Sequence, residues 1–307
     1  MEAEQGRGLR AAIFAYLLWG LLTVYWKQLT GLDAVELIGW RVATAAVLMA
    51  VLVTAMGRWQ QIRTALAVGP VLWRICLASV LLTINWTTYV WAVVNEHVIE
   101  TALGYFLAPL GTMTLGVVVL GERLTPLKWA SIAFALSAVV VLTASVGKVP
   151  WIALLLAGSW CWYGLTKRRV PLDPVESLSS EMFVLALPAA ALVALGWFRD
   201  DGIPSAAVGV DWLLLLGTGT ITAIPLLLFA YSAKRVPFLL LGPAGYLVPI
   251  INFLLGWLVY GEDLPASRVV GFALVWCALA LITLDTFRQR STSVPANRRS
   301  STPTAAV

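Results

Sequence analysis

Long apolar segments separated by short polar breaks constrain this chain more than any other feature of its sequence. A transmembrane helix needs about 17–25 mostly apolar residues. Because only 12% of the 307 residues are charged, a soluble fold would lack the polar surface that it needs. The sequence therefore predicts an all-α polytopic membrane protein with ten transmembrane helices. The predicted spans are 9–27, 34–56, 71–94, 100–120, 127–146, 150–166, 177–197, 211–232, 237–260 and 267–286.

The first apolar segment follows Arg7 and Arg10, as the core of a signal peptide would. It runs into WKQLTGLD and lacks a small-residue cleavage site followed by polar sequence. We therefore interpret it as the first transmembrane helix.

Basic residues are distributed unevenly between the breaks. With the N-terminus in the cytoplasm, the inner segments hold fifteen Lys and Arg residues and the outer segments hold four. Cytoplasmic loops are enriched in these residues. The asymmetry predicts a multi-pass protein of a bacterial-type plasma (inner) membrane, with both termini cytoplasmic. Segment 288–307 is basic and rich in Ser, Thr and Pro, which is typical of a disordered tail.

A pentapeptide occurs twice, as LDAVE at 32–36 and as LDPVE at 172–176, 140 residues later. The same offset relates LGYFLAPLGTMTLGVVVLGERL to LGPAGYLVPIINFLLGWLVYGEDL. Five predicted spans fit within each half, and because five is odd the second half enters the membrane from the opposite side. The pattern predicts two inverted five-helix repeats, an architecture of many secondary transporters. We place the first repeat in residues 1–146 and the second in 147–287.

Each pentapeptide also has the spacing of a helix N-cap. Asp33 and Asp173 are positioned to cap a first turn, and Glu36 and Glu176 follow three residues later, as in a capping box. Capping alone is one interpretation of the repeated motif. The other is that Glu36 also lines a substrate pathway.

The chain contains the segments AYLLWGLLTVYWK, WAVVNEHVIETALGYFLAPL, YGLTKRR, TAIPLLLF and VWCALALITLD. Together they resemble the RarD branch of the EamA-type permeases, in the drug/metabolite transporter superfamily, and the resemblance extends over residues 9–286. It implies ten helices and movement of a substrate through a central cavity. Two positions depart from the family pattern: Trp40 stands where the family commonly has His, and Gly245 stands where it commonly has Gln.

Arg41 is a cation inside a predicted span, eight residues past Asp33 and therefore about 12 Å along the helix. A charge at that depth usually faces a cavity or a partner. The alternative is that its side chain extends to the interface. The 140-residue offset places Glu181 at the equivalent position of the second half. We hypothesise an Arg41–Glu181 ion pair, or a shared site for an anionic substrate and for gating.

Polar and aromatic residues cluster in the third span, where Asn85, Trp86 and Tyr89 lie within two turns. An amide side chain in lipid must find a partner, so Asn85 faces protein or water. Hydrogen bonding between helices is one interpretation of these residues. Lining of a substrate cavity is the other.

Gly and Pro interrupt the fourth and ninth spans at corresponding positions, including Pro109 and Pro249. Such interrupted spans in two halves point to a binding site at the membrane midplane. Tyr105, Tyr246 and Asn252 would offer hydroxyl and amide groups there. Close helix packing is the alternative explanation for the small residues.

His97, the one histidine of the chain, lies at the predicted outer end of the third span. Because histidine titrates near physiological pH, His97 is a candidate for proton coupling, with a solvated loop position as the alternative. Lys27 and Lys167 end the first and sixth spans and are predicted to anchor them at the interface.

The 15 Trp residues are expected to lie mainly at the membrane interfaces and in helix packing. Three of them have a second interpretation, which is stacking on an aromatic or cationic substrate. They are Trp19, Trp26 and Trp40.

Motifs of the commoner membrane enzymes are absent from the sequence. It has no GxxxxGK[ST] and no HExxH, and its three Cys lack metal-site or disulfide spacing. We therefore expect no cofactor, no metal and no nucleic-acid partner. The predicted function is a secondary transporter, working by alternating access on a small organic metabolite or drug. An anionic compound is one option because of Arg41, and the partners are this substrate and membrane lipid. A membrane receptor and a lipid-modifying enzyme are the alternatives.

Overall fold

The structure is a computed structural model that describes residues 2–121, 124–167, 169–233, 235 and 244–292. Within these ranges the regular structure is entirely helical. The helices are α1 (Glu2–Lys27), α2 (Ala34–Met56), α3 (Trp59–Ala67), α4 (Gly69–Val94), α5 (Val98–Leu120), α6 (Pro126–Val146), α7 (Trp151–Lys167), α8 (Pro174–Gly196), α9 (Ile203–Ala206), α10 (Val210–Ala233), α11 (Leu247–Leu254), which continues into a π-helical segment (Leu255–Val259), and α12 (Ala266–Thr292).

Eight helices in the described ranges are long and apolar enough to cross a membrane. They are α1, α2, α4, α5, α6, α8, α10 and α12. The sixth predicted span coincides with α7, which has 17 residues, and the described part of the ninth coincides with α11 and its π-helical segment. The all-helical membrane architecture is therefore confirmed, whereas ten crossings stay a prediction. The start of the ninth span at 237 and the tail residues 293–307 lie outside the described residues.

Two short helices were not predicted, because each lies in a break between apolar segments. They are α3, on the Asp173 side of the bundle, and α9, on the Asp33 side. The fourth span was predicted to be interrupted at Pro109, and this prediction was wrong. Helix α5 continues through Pro109, since a membrane helix tolerates the loss of one backbone hydrogen bond.

The bundle exposes many large apolar side chains, and its mostly apolar interior also holds buried polar side chains. Leu187 and Val118 are 79% and 75% exposed, although each lies in the middle or last part of a long helix. Thr101, Ser179 and Asn252 are completely buried. Lipid solvates apolar side chains but forms no hydrogen bonds with polar ones. The polar groups of the spans therefore face the interior of the bundle.

Helices at equivalent positions of the two halves run antiparallel, as α2 and α8 show. Near the start of α2, the carboxylate of Glu36 accepts hydrogen bonds from the amide of Ile203, just beyond the end of α8, at 3.0 and 3.1 Å. At the opposite face Arg58, just beyond the end of α2, donates to Glu176 in the first turn of α8 at 2.7 Å. The two copies of the LDxVE glutamate thus connect the same two helices at opposite ends.

Two further equivalent pairs, α5 with α11 and α6 with α12, are antiparallel as well. Glu262, which follows α11, accepts from the amides of Val98 and Ile99 at the start of α5, at 2.5 and 2.8 Å. Thr125 at the start of α6 donates to Asp285 near the end of α12 at 2.8 Å. The first helix of each half packs on the other half. Helix α1 packs on α10 and α11, and α7 packs on α4 and α5.

The N-cap prediction is confirmed at the first copy of the pentapeptide. Asp33 accepts from the amide of Glu36 at 2.8 Å. At the second copy, the side chain of Glu176 accepts from the amide of Asp173 at 3.1 Å. Both arrangements satisfy backbone donors that the helix itself leaves free.

Close packing of α2 on α10 depends on Gly219. A methyl group at this position would lie 2.5 Å from the carbonyl carbon of Thr44 and 2.6 Å from the amide nitrogen of Ala45, so the backbones would have to separate. We predict that Gly219→Ala lowers the free energy of unfolding by roughly 1–3 kcal/mol, as overpacking does. Thermal unfolding in detergent measures the effect.

Gly164→Ala is the matched control, because no heavy atom lies within 4 Å of the added methyl group. It is expected to leave the melting temperature unchanged or to raise it. Equal melting temperatures for the two variants would contradict the predicted close approach.

Candidate functional site

Arg41 lies at the centre of a buried polar cluster between the two halves. Its side chain is only 4% exposed, and its Nε donates to the hydroxyl of Thr222 on α10 at 3.0 Å. The guanidinium carbon lies 3.9 Å from the ring centroid of Trp86 and 5.3 Å from that of Trp26. Two indole faces therefore stabilise a cation that lipid would not.

A hydroxyl–amide network joins α1, α4 and α11 beside this arginine. Thr23 Oγ1 lies 2.8 Å from the hydroxyl of Tyr89 and donates to the amide oxygen of Asn252 at 2.8 Å. Asn252 also donates to Thr101 on α5 at 3.4 Å. Every one of these side chains is buried. Each therefore obtains from another helix a hydrogen-bond partner that the bilayer would not supply.

Asn85 extends the network to α5 and α7. It donates to the hydroxyl of Ser159 and to the carbonyl of Leu156, both at 3.0 Å, and it accepts from Tyr105 at 3.4 Å. The rings of Tyr105 and Tyr89 lie 5.9 Å apart. Hydrogen bonding between helices, one of the two interpretations of Asn85, is therefore confirmed.

We call these residues the central cluster. Its members come from α1, α2, α4, α5, α10 and α11, so both halves contribute. They are Thr23, Trp26, Arg41, Asn85, Trp86, Tyr89, Tyr105, Thr222 and Asn252. Six of them were predicted as pathway residues from the sequence.

The predicted Arg41–Glu181 ion pair is wrong. Glu181 is completely buried, and it forms an ion pair with Lys167 and accepts from the hydroxyl of Tyr163 at 3.1 Å. Lys167 is therefore more than an interface anchor. The two charges of equivalent sequence position have different partners: Glu181 pairs with Lys167 on the preceding helix, and Arg41 donates to the neutral hydroxyl of Thr222 on α10.

Two further predicted site residues lie outside the central cluster, at the Asp33 face of the bundle. Glu36 accepts from Ile203 and so connects α2 to the start of α9. His97 stacks on Trp91 with ring centroids 5.6 Å apart, and its Nδ1 lies within hydrogen-bond distance of Glu100 Oε1, at 3.2 Å. His97 precedes α5 by one residue, and Tyr105 lies two turns further along that helix. In the described part of the chain, neither Glu36 nor His97 bonds to the cluster.

Trp19 belongs to an aromatic group one helical turn from Thr23, on the Asp173 side. Its ring centroid lies 5.7 Å from those of Tyr16 and Phe229. Tyr16 also faces Gly245, where an added Cβ would meet its ring at 3.7 Å. Position 245 therefore has room for a Cβ in ordinary van der Waals contact with this ring.

Three other predicted positions surround the cluster without a hydrogen bond to it among the described contacts. Tyr246 packs against Phe106 with ring centroids 6.5 Å apart. Pro249 is buried in the first turn of α11, and Pro109 is half-buried within α5. The interruption predicted for the ninth span is present, since a turn at Tyr246 precedes α11 and a π-helical segment follows it.

Sequence reasoning missed Thr23 and Thr222 and gave Trp26 only a stacking role. Threonine is common in membrane helices, where its hydroxyl often bonds the carbonyl one turn earlier, as Thr222 does with Thr218 at 2.8 Å. No sequence pattern distinguishes the threonine that also meets another helix. The one available signal was the position of Thr23, four residues after Trp19 and therefore on the same face of α1.

At the faces of the bundle, carboxylates stabilise the helix ends. Burial raises the pKa of Glu262 above its ordinary value, although the hydrogen bonds from Ile99 and Val98 oppose the shift. At the other face, hydrogen bonds to Glu176 and Asp173 raise the pKa of Arg58. Glu262 thus acts as a cap for a helix of the other half; its counterpart Glu122 lies outside the described residues.

The sequence profile described as "EamA-like transporter family" matches this chain twice, at residues 6–144 and 148–284. The chain belongs to the EamA-like transporter family. Relatives place it in the RarD branch of that family. "Protein RarD" of Streptomyces exfoliatus is 40% identical over 94% of this chain and 91% of its own length. "Protein RarD" of Escherichia coli is 33% identical over 95% and 100%.

Another relative of this EamA-like chain is "Uncharacterized transporter YojE" of Bacillus subtilis, 35% identical over 95% of this chain and 98% of its own length. A solved crystal structure superposes with a TM-score of 0.61 at 22% identity, covering 92% of this chain and 99% of the other. That likeness concerns the fold. The family and its named transporters establish membrane transport as the general function.

The buried ion pair between Lys167 and Glu181 gives a stability prediction. Lys167→Met leaves a fully buried carboxylate without its cation, which costs roughly 3–5 kcal/mol of unfolding free energy. The double variant Lys167→Met/Glu181→Gln removes both charges and is expected to recover much of that loss. Thermal unfolding followed by tryptophan fluorescence measures the coupling. A double variant no more stable than Lys167→Met would show that the two charges do not interact.

Proposed function

We propose that this EamA-family chain is a secondary transporter that moves a small organic compound across the bacterial plasma membrane by alternating access. The observation that carries the proposal is the central cluster itself. It gathers a charge, amide groups and hydroxyls between helices of both halves, at a depth where lipid supplies no partner for them. A polar site of this kind between two helical units is where transporters bind their substrates.

The antiparallel packing of equivalent helices supports two inverted halves. In three equivalent pairs the start of one helix contacts the end of its partner, so the two helices run in opposite directions. The pairs are α2 with α8, α5 with α11, and α6 with α12. A two-fold axis in the membrane plane relates helices in this way. The two family matches, at 6–144 and 148–284, support the division into repeats 1–146 and 147–287.

Contacts at the two faces supply candidate gates. Glu36–Ile203 and Glu262–Val98 join the halves at the Asp33 face, and Arg58–Glu176 joins them at the Asp173 face. In the described conformation contacts at both faces are made, and the residues of the central cluster are buried except Tyr105, which is half-buried. Breaking one set while keeping the other would expose the cluster to one side of the membrane. Substrate binding shifts the population between such states, driven by a gradient or by exchange.

Flux through proteoliposomes tests the proposal across many candidate compounds at once. Vesicles containing the purified protein are loaded with a defined mixture of amino acids, carboxylic acids, amines and antibiotics, diluted, and analysed by mass spectrometry. We expect at least one compound to leave chemically unchanged and faster than from protein-free vesicles. Asn85→Leu is expected to slow the efflux of this compound, because it removes the amide that joins α4, α5 and α7. Gly164→Ala keeps that amide and is expected to keep the wild-type rate of efflux.

Other outcomes of this flux experiment favour other functions. A chemically modified compound would indicate an enzyme. Selective retention on the protein without loss from the vesicles would indicate a receptor. Either result would overturn the proposal of transport.

Inverted topology predicts that the two LDxVE copies face opposite sides of the membrane. Cys76, Cys161 and Cys277 are first replaced by Ala, and single cysteines are then introduced as Thr30→Cys or Pro171→Cys, both at exposed positions. In intact cells an impermeant maleimide is expected to label the cysteine at 30 and to spare that at 171. Labelling of both from the same side would contradict the inverted repeat.

A further inference from the structure

We infer that the transported compound carries a carboxylate, and that Arg41 and Trp26 bind it in the central cluster. The inference rests on the proposed transport function and specifies its substrate class. The two halves differ in how their buried charges are paired. Glu181 has a cation beside it in Lys167, whereas Arg41 at the equivalent position has no carboxylate within ion-pairing distance among the described residues.

The surroundings of Arg41 are neutral and mostly aromatic. Its Nε donates to the hydroxyl of Thr222, and its guanidinium carbon lies over the rings of Trp86 and Trp26. These contacts orient and partly stabilise the cation but do not neutralise it. A buried cation without a counter-charge is the condition that an incoming anion relieves.

Two hydrogen-bond donors in this place lack an acceptor in the described part of the chain. They are Nη1 of Arg41 and Nε1 of Trp26, and their side chains are 4% and 0% exposed. Buried donors are nearly always satisfied, so two unsatisfied donors on neighbouring side chains indicate an acceptor from outside the protein. A neutral acceptor would satisfy these hydrogen bonds but would leave the charge of Arg41 uncompensated.

The charge of the cluster selects among anions. Arg41 is its single cation, and the nearby hydroxyls of Tyr89 and Tyr105 are neutral donors and acceptors. A singly charged carboxylate matches one arginine, and its two oxygens match a guanidinium nitrogen and a neighbouring N–H. A doubly charged phosphate would remain with one charge uncompensated in a low-dielectric site. The geometry therefore favours a monocarboxylate.

Matched pairs of acids and amides test the head group directly. Purified protein in nanodiscs is titrated with acetate, benzoate, phenylacetate and indole-3-acetate, and with the primary amide of each, while thermal unfolding is recorded. We expect at least one acid to raise the melting temperature and its amide to do so much more weakly. In Arg41→Gln the affinity for that acid is expected to fall roughly tenfold to hundredfold, the loss of one charge-assisted interaction.

Arg63→Gln is the matched control, because it removes an equal charge from an exposed position on α3. It is expected to keep the wild-type response. In the absence of any acid, Arg41→Gln is expected to melt at the wild-type temperature or above, because it removes an uncompensated buried charge. A response to none of the four acids, an equal response to acid and amide, or a response that survives in Arg41→Gln would each overturn the inference.

Failure of this inference is distinguishable from failure of the transport function. Flux of a neutral compound that does not depend on Arg41 would support transport and contradict a carboxylate substrate. Binding of a carboxylate through Arg41, without flux of that compound, would support the binding site and contradict transport.

Discussion

The burial of one arginine charge between two helical halves is the constraint on which this structure depends. A cation in the interior of a bilayer needs compensation from the protein, because neither lipid nor bulk water supplies it. Arg41 obtains partial compensation from Thr222 on α10, Trp86 on α4 and Trp26 on α1. These contacts bring three helices to α2 but leave the charge uncompensated by any carboxylate among the described residues, and the close approach at Gly219 places one of them, α10, directly against the α2 backbone.

The duplicated pentapeptide illustrates how one motif acquires a second use between antiparallel helices. Each copy caps its own helix, and each glutamate also reaches the far end of the antiparallel partner. Glu36 binds the amide of Ile203, and Glu176 binds the guanidinium of Arg58. A cap alone needs one helix, whereas these contacts need two helices of opposite direction. The repeated motif thus joins the halves at both faces, where the proposed transport cycle would open and close them.

The sequence predicted the helices well because the bilayer imposes a length and an apolar composition on each span. The second span, 34–56, matches the bounds of α2, and most residues of the central cluster were identified because polar groups in a span are unusual. The choice of partners was not predictable. Glu181 pairs with Lys167 and Arg41 with Thr222 because of helix rotation and proximity, which one-dimensional offsets do not encode. Likewise α3 and α9 lie in polar breaks and are much shorter than a membrane span, so a search for spans does not find them.

The central claim is that the cluster between the halves is reached from either side of the membrane in turn. Thr23 lies within it, between Tyr89 and Asn252, and cysteine is close to threonine in size. The direct measurement is the labelling of Thr23→Cys, in a chain whose native cysteines are replaced, by an impermeant methanethiosulfonate added to right-side-out and to inside-out vesicles. The account predicts modification in both preparations. Modification in only one of them, or in neither, would contradict it.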